Sequence, residues 1–327
     1  MFLTSQSERR HGDVYTNRHL LAHTGSGRIE VPAGGISRVK IGRYHIEQVL
    51  GRGGMGVVYR GKHEHTGRVV AIKTMALAEH FDAYELQGAK DRFFREAATA
   101  GRLNHPNIVT IFDAGEEHDV AYIAMELLKG KDLTPYTKAE SLLPVAKTMR
   151  IAARVAEALS YAHAHNVVHR DIKPANVMCE LPSDTAKVTD FGIARITDSS
   201  KTKTGMVLGT PGYMSPEQLA GNKIDGRSDL FSVGVMLYQL TTGRLPFHGD
   251  SLAELMFKIA NERHVDVRTY NAALPHGLVA VIDKALLKKP DERYQTGAQM
   301  AAAMRLCMEL PSNPKMRSTN THQHIAQ

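Results

Sequence analysis

The sequence has only two cysteines, Cys179 and Cys307, far apart and in no CxxC pair. That excludes a disulfide framework and a zinc knuckle, and it fits a reducing compartment. No stretch approaches the ~20 uninterrupted apolar residues that a membrane helix needs, and Met1–Arg10 lacks the apolar run of a secretory signal. No internal repeat is evident, which argues against a solenoid. Basic residues exceed acidic ones, for a net charge of +7, but they are spread along the chain rather than gathered into a run. The charge therefore gives little reason to expect a nucleic-acid or anionic-lipid partner. These absences lead to the expectation of a soluble, cytoplasmic protein with no membrane segment in this chain. A length of 327 residues and a 43% hydrophobic fraction suffice for one large or two ordinary domains with ample core.

What is present changes character along the chain. Residues 1–43 mix Gly, Ser, Arg and His with little hydrophobic period and read as a flexible extension, as does the tail over 311–327. From Tyr44 the segments YHIEQVL, VVYRGKH and RVVAIKTM alternate or are β-branched, with glycine-containing turns between them, which predicts three antiparallel strands. A helix ending in DRFFREAATAGRL follows, and then NHPNIVTIFDAGEE and VAYIAMELL read as two more strands. A small sheet with one helix is thus expected over 44–128. The insert MALAEHFDAYELQGAK before the helix carries Phe81, Tyr84 and Leu86. It reads as a short extra helix or a partner surface, with packing the ordinary explanation.

Over 129–310 the pattern turns helical. Met149, Ala152, Val155, Leu159 and Ala162 recur at three- and four-residue steps within Pro144–His165 and put one apolar stripe on a core. Further helices are predicted over about Ser228–Thr241, Ser251–Ala260, Gly277–Leu287 and Gly297–Leu310. Short strand-like pieces fall at Val167–Val168, Asn176–Met178 and Ala186–Val188.

The first chemical signal is GRGGMGVVYRG, with Gly51, Gly53 and Gly56 at GxGxxG spacing. Glycine lets backbone approach phosphate oxygens without a Cβ in the way and tolerates the tight turn this needs. In a dinucleotide-binding fold the third glycine opens a helix. Here Val57, Val58 and Tyr59 continue as a second strand, and the motif reads as a phosphate-covering flap on a hairpin. Lys73 ends the apolar run Val70-Ala71-Ile72, placed to hold phosphates under that flap, or else it is a surface lysine on an edge strand. Glu96 within FFREAATAGRL is a carboxylate that can fix Lys73, or else an exposed helix residue paired with Arg92 or Arg95.

His169-Arg170-Asp171-Ile172-Lys173-Pro174-Ala175-Asn176, followed by Asp190-Phe191-Gly192, carries most of the chemical information. Phosphoryl transfer needs an acceptor for the hydroxyl proton, hard oxygen ligands for Mg²⁺ and positive charge on the moving phosphate. Asp171 supplies the acceptor, Asn176 and Asp190 the metal-ligand oxygens, and Lys173 the charge.

With these motifs in order, the chain resembles the eukaryotic-type protein kinases, in their bacterial serine/threonine branch, from about Tyr44 to Leu310. The resemblance implies an α+β bilobal fold. Its small antiparallel-sheet lobe would carry the helix that the family calls αC, and its larger lobe would be mainly helical. It makes Asp171, Lys173, Lys73 and Glu96 the catalytic set, with Glu96 the partner of Lys73. It makes Asn176 and Asp190 the ligands of Mg²⁺ or Mn²⁺. ATP would lie under Leu50, Gly51, Arg52, Gly53, Gly54 and Gly56, with Val58 and Ala71 roofing the adenine. Met125 would be the gatekeeper, and Glu126–Leu128 the hinge that meets the purine.

Downstream, GTPGYMSPE matches the family except that Ser215 stands where the family usually has alanine. Glu217 is expected to form a structural ion pair with Arg293, and Asp229 to anchor the catalytic loop from beneath. Lys173 and Thr210 resemble the serine/threonine group rather than the tyrosine kinases. Thr202 and Thr204, in the hydroxyl-rich stretch between Asp190 and Glu217, resemble autophosphorylated threonines, since phosphate there would meet Arg170. A merely flexible polar loop is the other reading. The resemblance further implies protein substrates and a homodimer through the small lobe. The histidine pairs His63/His65 and His163/His165 lack the four ligands and thiolates of a zinc site. A small-molecule phosphotransferase of related fold and a pseudokinase scaffold are the competing readings. GTPGYMSPE speaks against the first, and the joint presence of Lys73, Asp171, Asn176 and Asp190 against the second.

Overall fold

In a computed structural model, which describes residues 39–53, 56–191 and 211–309 and a short pairing of His23–Thr24 with Arg28–Ile29, alternation from Tyr44 onward builds one antiparallel sheet. Its strands are β1 (Lys40–Ile41), β2 (Tyr44–Gly53), β3 (Gly56–His63), β4 (Val69–Met75), β5 (Ile111–Glu117) and β6 (Val120–Glu126), in the order β1-β2-β3-β4-β6-β5. Because side chains alternate across a sheet, β4 serves two cores. Val70 and Ile72 pack with Tyr44, Ile46, Tyr59 and Ala124 on the outer face. Ala71 and Met75 face the other way, into a cluster with Ile123 and Met125. Lys73 shares the parity of this second face.

That second face is covered by α1 (Leu77–His80) and α2 (Ala83–Ala100). Ala89, Phe93 and Ala97 recur at four-residue steps and form the buried stripe of α2. The insert ahead of this helix therefore resolves into α1 and the first turns of α2. Leu77 and Phe81 are core residues, whereas Tyr84 is 97% exposed.

The larger lobe is organised by α3 (Val145–Ala164) and α5 (Gly226–Thr242). α5 is buried on almost every side, from Ser228 and Asp229 to Thr242. A helix without a polar face of its own must run through the middle of a lobe, and α5 packs against α3 on one side and α7 (His276–Ala285) on another. Each fully buried Leu, Val or Phe here contributes about 1.5–3 kcal/mol. α4 (Pro216–Leu219), α6 (Leu252–Asn261) and α8 (Gly297–Glu309) complete the lobe, with α8 on α3. Among the described residues, no helix is long and apolar enough to cross a membrane.

A second small sheet, in the order β9-β8-β7, lies where the lobes meet: β7 (Lys131–Asp132), β8 (Val177–Glu180) and β9 (Thr185–Val188). Its last residue reaches the small lobe, since Val109 N donates to Val188 O at 3.0 Å and Val188 N to Asn107 O at 2.9 Å. The strand expected at Val167–Val168 does not form. Val167 N instead caps α3 by donating to Ala162 O at 3.0 Å, and the next amides turn to side-chain acceptors on α5.

Candidate active site

The loop between α3 and β8 holds Asp171, and its shape is set from below. Asp229, in the first turn of α5 and 1% exposed, accepts from three donors: His169 N at 2.9 Å and His163 Nε2 at 2.8 Å on Oδ2, and Arg170 N at 2.7 Å on Oδ1. Burial pushes the Asp229 carboxyl up, but these donors and the nearby histidines outweigh it and hold it below its ordinary value. Asp229 thus anchors the loop as expected from the sequence. The part played by His163 was not foreseen, because a histidine near a helix end carries no local signature of its partner.

The backbone here is strained. Arg170 has φ +70° and Asp190 φ +63°, left-handed values that non-glycine residues adopt at a cost of about 1–3 kcal/mol. His169 links the two positions. Its Nδ1 accepts from Asp171 N at 3.2 Å, and its Nε2 donates to Thr189 O at 2.7 Å, beside Asp190. Thr189 N in turn donates to Asn176 O at 2.9 Å.

Three of the expected catalytic-loop residues are brought into direct contact. Lys173 Nζ donates to Asp171 Oδ2 at 2.7 Å, and Asn176 Nδ2 donates to the same oxygen at 3.0 Å and to Asp171 O at 2.7 Å. Among the described residues, the hydrogen bonds to this carboxylate fall on Oδ2, which leaves Oδ1 as the oxygen able to take a proton. The amide nitrogen of Asn176 is occupied by Asp171, so the atom it retains for a cation is its carbonyl oxygen.

Asp190 meets Lys73, with Nζ 2.9 Å from Oδ1. Burial raises the Asp190 carboxyl, and the Lys73 ammonium more than reverses this, so the group lies below its ordinary value and stays ionised. The ion pair shown for Lys73 among the described residues is thus with Asp190, beside the Glu96 partner that the resemblance implies. Glu96 is half-buried on α2.

The flap fits a phosphate ligand. A Cβ at Gly51 would meet no protein atom within 4 Å, and one at Gly53 would meet only Gly56 O at 4.0 Å, so the turn is open around both positions. Gly56 is different in kind: at φ +153° its Cβ would fall 1.7 Å from Thr74 O, so the turn into β3 admits no side chain there. Beneath the flap, Val58, Ala71, Met125 and Leu128 belong to one apolar cluster. Leu50 is 45% exposed and Arg52 is exposed. Glu126 is held by Lys187 at 2.7 Å, and its amide donates to Thr110 O at 2.8 Å. The donor set suits a hard cation: Asp190 offers an ionised carboxylate and Asn176 an amide oxygen. Gly54, Thr202, Thr204 and Thr210 lie outside the described residues.

Glu217 and Arg293 form the expected ion pair in bidentate form, at 2.7 and 2.9 Å, with Ser228 Oγ adding a bond at 2.6 Å. Ser215 is fully buried and caps α4 together with Gln218. Gln218 Nε2 continues to Arg170 O at 2.8 Å. The local trace of Gln218 in the sequence is the capping-box spacing of Ser215-Pro216-Glu217-Gln218. Of the histidine pairs, His163 is engaged by Asp229, His165 Nδ1 bonds to Tyr161 O, and His63 Nδ1 accepts from His65 N and Thr66 N. Among the described residues, no group of three or more His, Cys, Asp and Glu is placed to hold a metal.

Comparison with known proteins agrees with this geometry. The family model for the protein kinase domain matches residues 44–307. The chain is 38% identical over 269 residues to serine/threonine-protein kinase PrkC of Bacillus subtilis, covering 82% of this chain and 41% of that protein. It is 39% identical over 299 residues to serine/threonine-protein kinase pkn3 of Myxococcus xanthus, covering 87% and 54%. The chain thus spans about half or less of the length of these relatives. Among solved structures, the kinase domain of Mycobacterium tuberculosis PknI superposes with a TM-score of 0.67 at 29% identity, over 83% of this chain and 98% of that one. A structure of Rad53 in complex with AMP-PNP superposes at 0.66 with 25% identity, over 79% and 64%. The fold, the site and these relatives together show that the chain belongs to the protein kinase family, in its bacterial serine/threonine branch.

Proposed function

We propose that this chain transfers the γ-phosphoryl group of ATP to serine and threonine hydroxyls of proteins, with Asp171 accepting the hydroxyl proton. The observation that carries the reading is the contact of Lys173 and Asn176 with one oxygen of Asp171, which leaves the other oxygen to the acceptor. Asp171 then orients the hydroxyl and takes its proton as the bond to phosphorus forms. Lys173, fixed beside it, places positive charge where the transferred group gains negative charge. Asn176 and Asp190 would hold Mg²⁺ or Mn²⁺, which when bound supplies charge neutralisation on the phosphates. Lys73 keeps Asp190 ionised for that role and bears on the phosphates under the flap. The backbone of Glu126–Leu128 would meet the purine, with Leu50, Val58, Ala71 and Met125 around it.

Residues 44–128 and 129–310 are the two lobes of this reading, between extensions over 1–43 and 311–327. Autophosphorylation at Thr202 and Thr204, a cytoplasmic location and a homodimer through the small lobe belong to the same proposal, with proteins rather than nucleic acid as partners. Light scattering reads the dimer. Incubation with Mg-ATP followed by phosphoamino-acid analysis and mass spectrometry tests the rest. Phosphoserine and phosphothreonine in a protein substrate, with phosphate on Thr202 or Thr204, are expected. Phosphotyrosine alone would sink the specificity, and active enzyme without phosphate on either threonine would sink the autophosphorylation sites.

A further inference from the structure

The residue before Asp171 is held at both of its backbone polar groups by side chains from two other elements. Arg170 N donates to Asp229 Oδ1 at 2.7 Å, and Arg170 O accepts from Gln218 Nε2 at 2.8 Å. That carbonyl belongs to the peptide plane joining Arg170 to Asp171, whose other polar group, Asp171 N, donates to His169 Nδ1 at 3.2 Å. The plane follows a left-handed residue, Arg170 at φ +70°, a conformation that persists only where surrounding contacts enforce it. Rotation of this plane swings the Cα–Cβ bond of Asp171, and misplacement of a reacting group by about 1 Å costs on the order of a hundredfold in rate.

The Gln218 amide is engaged at both ends. Its oxygen accepts from Ser215 N at 3.0 Å and Ser215 Oγ at 3.1 Å, while its nitrogen reaches Arg170 O. Two donors on one side and a carbonyl on the other fix which end of the amide is which. One side chain therefore closes the cap of α4 and joins that helix to the catalytic loop. The two tasks separate chemically. A glutamate can serve the cap, because a carboxylate accepts from Ser215 as well as an amide does, but it has no hydrogen to give to Arg170 O.

We infer that Gln218 is a positioning residue for phosphoryl transfer, acting through the Arg170 carbonyl to hold the peptide plane that aims Asp171. The inference rests on the kinase reading above. Its test compares wild type with Gln218→Glu, Gln218→Met, Ser215→Ala and Asp171→Asn. The readouts are kcat and KM for Mg-ATP with myelin basic protein as phosphate acceptor, and Tm for each protein. Gln218→Glu and Gln218→Met are expected to lower kcat about tenfold or more, with KM for ATP within about twofold of wild type. Ser215→Ala, which places the family's usual residue at 215 and keeps the Gln218–Arg170 bond, is expected to lower Tm while kcat stays within about twofold.

Either Gln218 variant retaining kcat within twofold overturns the inference. So does a kcat loss in Ser215→Ala equal to that in Gln218→Glu, which would make the link merely structural. Wild type no more active than Asp171→Asn overturns the kinase reading and this inference with it. Active wild type with an unimpaired Gln218 variant overturns this inference alone.

Discussion

Lys73 and Asp190 meet at 2.9 Å across the gap between β4 and the segment that follows β9, joining the sheet lobe to the strained turn at Asp190. Each group answers a need of the other: both side chains are largely shielded from solvent, and the ammonium holds the carboxylate in its ionised form. Lys73→Met should leave Asp190 without its counter-charge, let its carboxyl rise from its depressed value, and remove a cation from the phosphate site. Phosphoryl transfer should fall about 10²–10³-fold, and Lys73→Arg should not restore it, because a planar fork does not replace a point charge. Steady-state rates with radiolabelled ATP check this. Activity within tenfold of wild type in Lys73→Met would contradict it.

Glycine-to-alanine changes should sort the flap into two kinds of position. Gly56→Ala places a methyl group on Thr74 O in a backbone conformation closed to L-residues, so both Tm and kcat/KM for ATP should drop. Gly51→Ala meets no protein atom. It should leave Tm nearly unchanged, and it should raise KM for ATP if the proposed flap brings this backbone close to the phosphates. Thermal melts with and without nucleotide distinguish the two outcomes.

The Glu217–Arg293 pair should matter to folding rather than to chemistry. Arg293 is 2% exposed and Glu217 7%, so removing either partner strands a buried charge. Arg293→Met should cost about 3–5 kcal/mol and lower Tm by about 10 °C or more. Glu217→Gln, which keeps the shape and one acceptor, should cost less. Differential scanning calorimetry reads both.

Acid sensitivity follows from the same buried carboxyls. Burial raises Glu217, but Arg293 and Ser228 outweigh it and hold its value low. Asp229 is likewise depressed: burial pushes it up, and His163, His169 and the loop amide outweigh that. A carboxyl that is more acidic folded than unfolded stabilises the fold above its unfolded value and loses that contribution as pH falls through the folded one. Tm should therefore be flat near neutrality and fall steeply below about pH 4. Glu217→Gln should show a shallower fall over that range, and an unchanged slope would contradict the assignment.

Much of this architecture could be read from the chain because it depends on short-range periodicity. The β-branched, apolar run Val70-Ala71-Ile72 reads as a strand ending in Lys73, and β4 forms there with Ile72 on the outer face and Lys73 on the other. The ordered motif from Asp171 to Asp190 needs only local loops to converge, and Lys173 and Asn176 do meet Asp171. What was not legible depends on how separate elements settle against each other. Whether Lys73 reaches Asp190, Glu96 or both turns on the placement of α2 over the sheet, which no local pattern encodes. Val167–Val168 has the β-branched character of a strand, but the amides that follow find acceptors in Asp229 rather than in a neighbouring strand. The Gln218–Arg170 bond spans 48 positions of sequence, and only its cap half leaves a trace in the spacing.

The proposed proton transfer from the attacking hydroxyl to Asp171 depends on Lys173 and Asn176, which hold its carboxylate in place. The most direct measurement is the rate of radiolabelled phosphate transfer from Mg-ATP to a basic protein substrate by wild type and by Asp171→Asn. The substitution keeps the acceptor for Lys173 and Asn176 but removes the basic carboxylate. A loss of about 10²–10⁴-fold in kcat with nucleotide binding preserved is the predicted result. Equal transfer by wild type and Asp171→Asn would contradict the account.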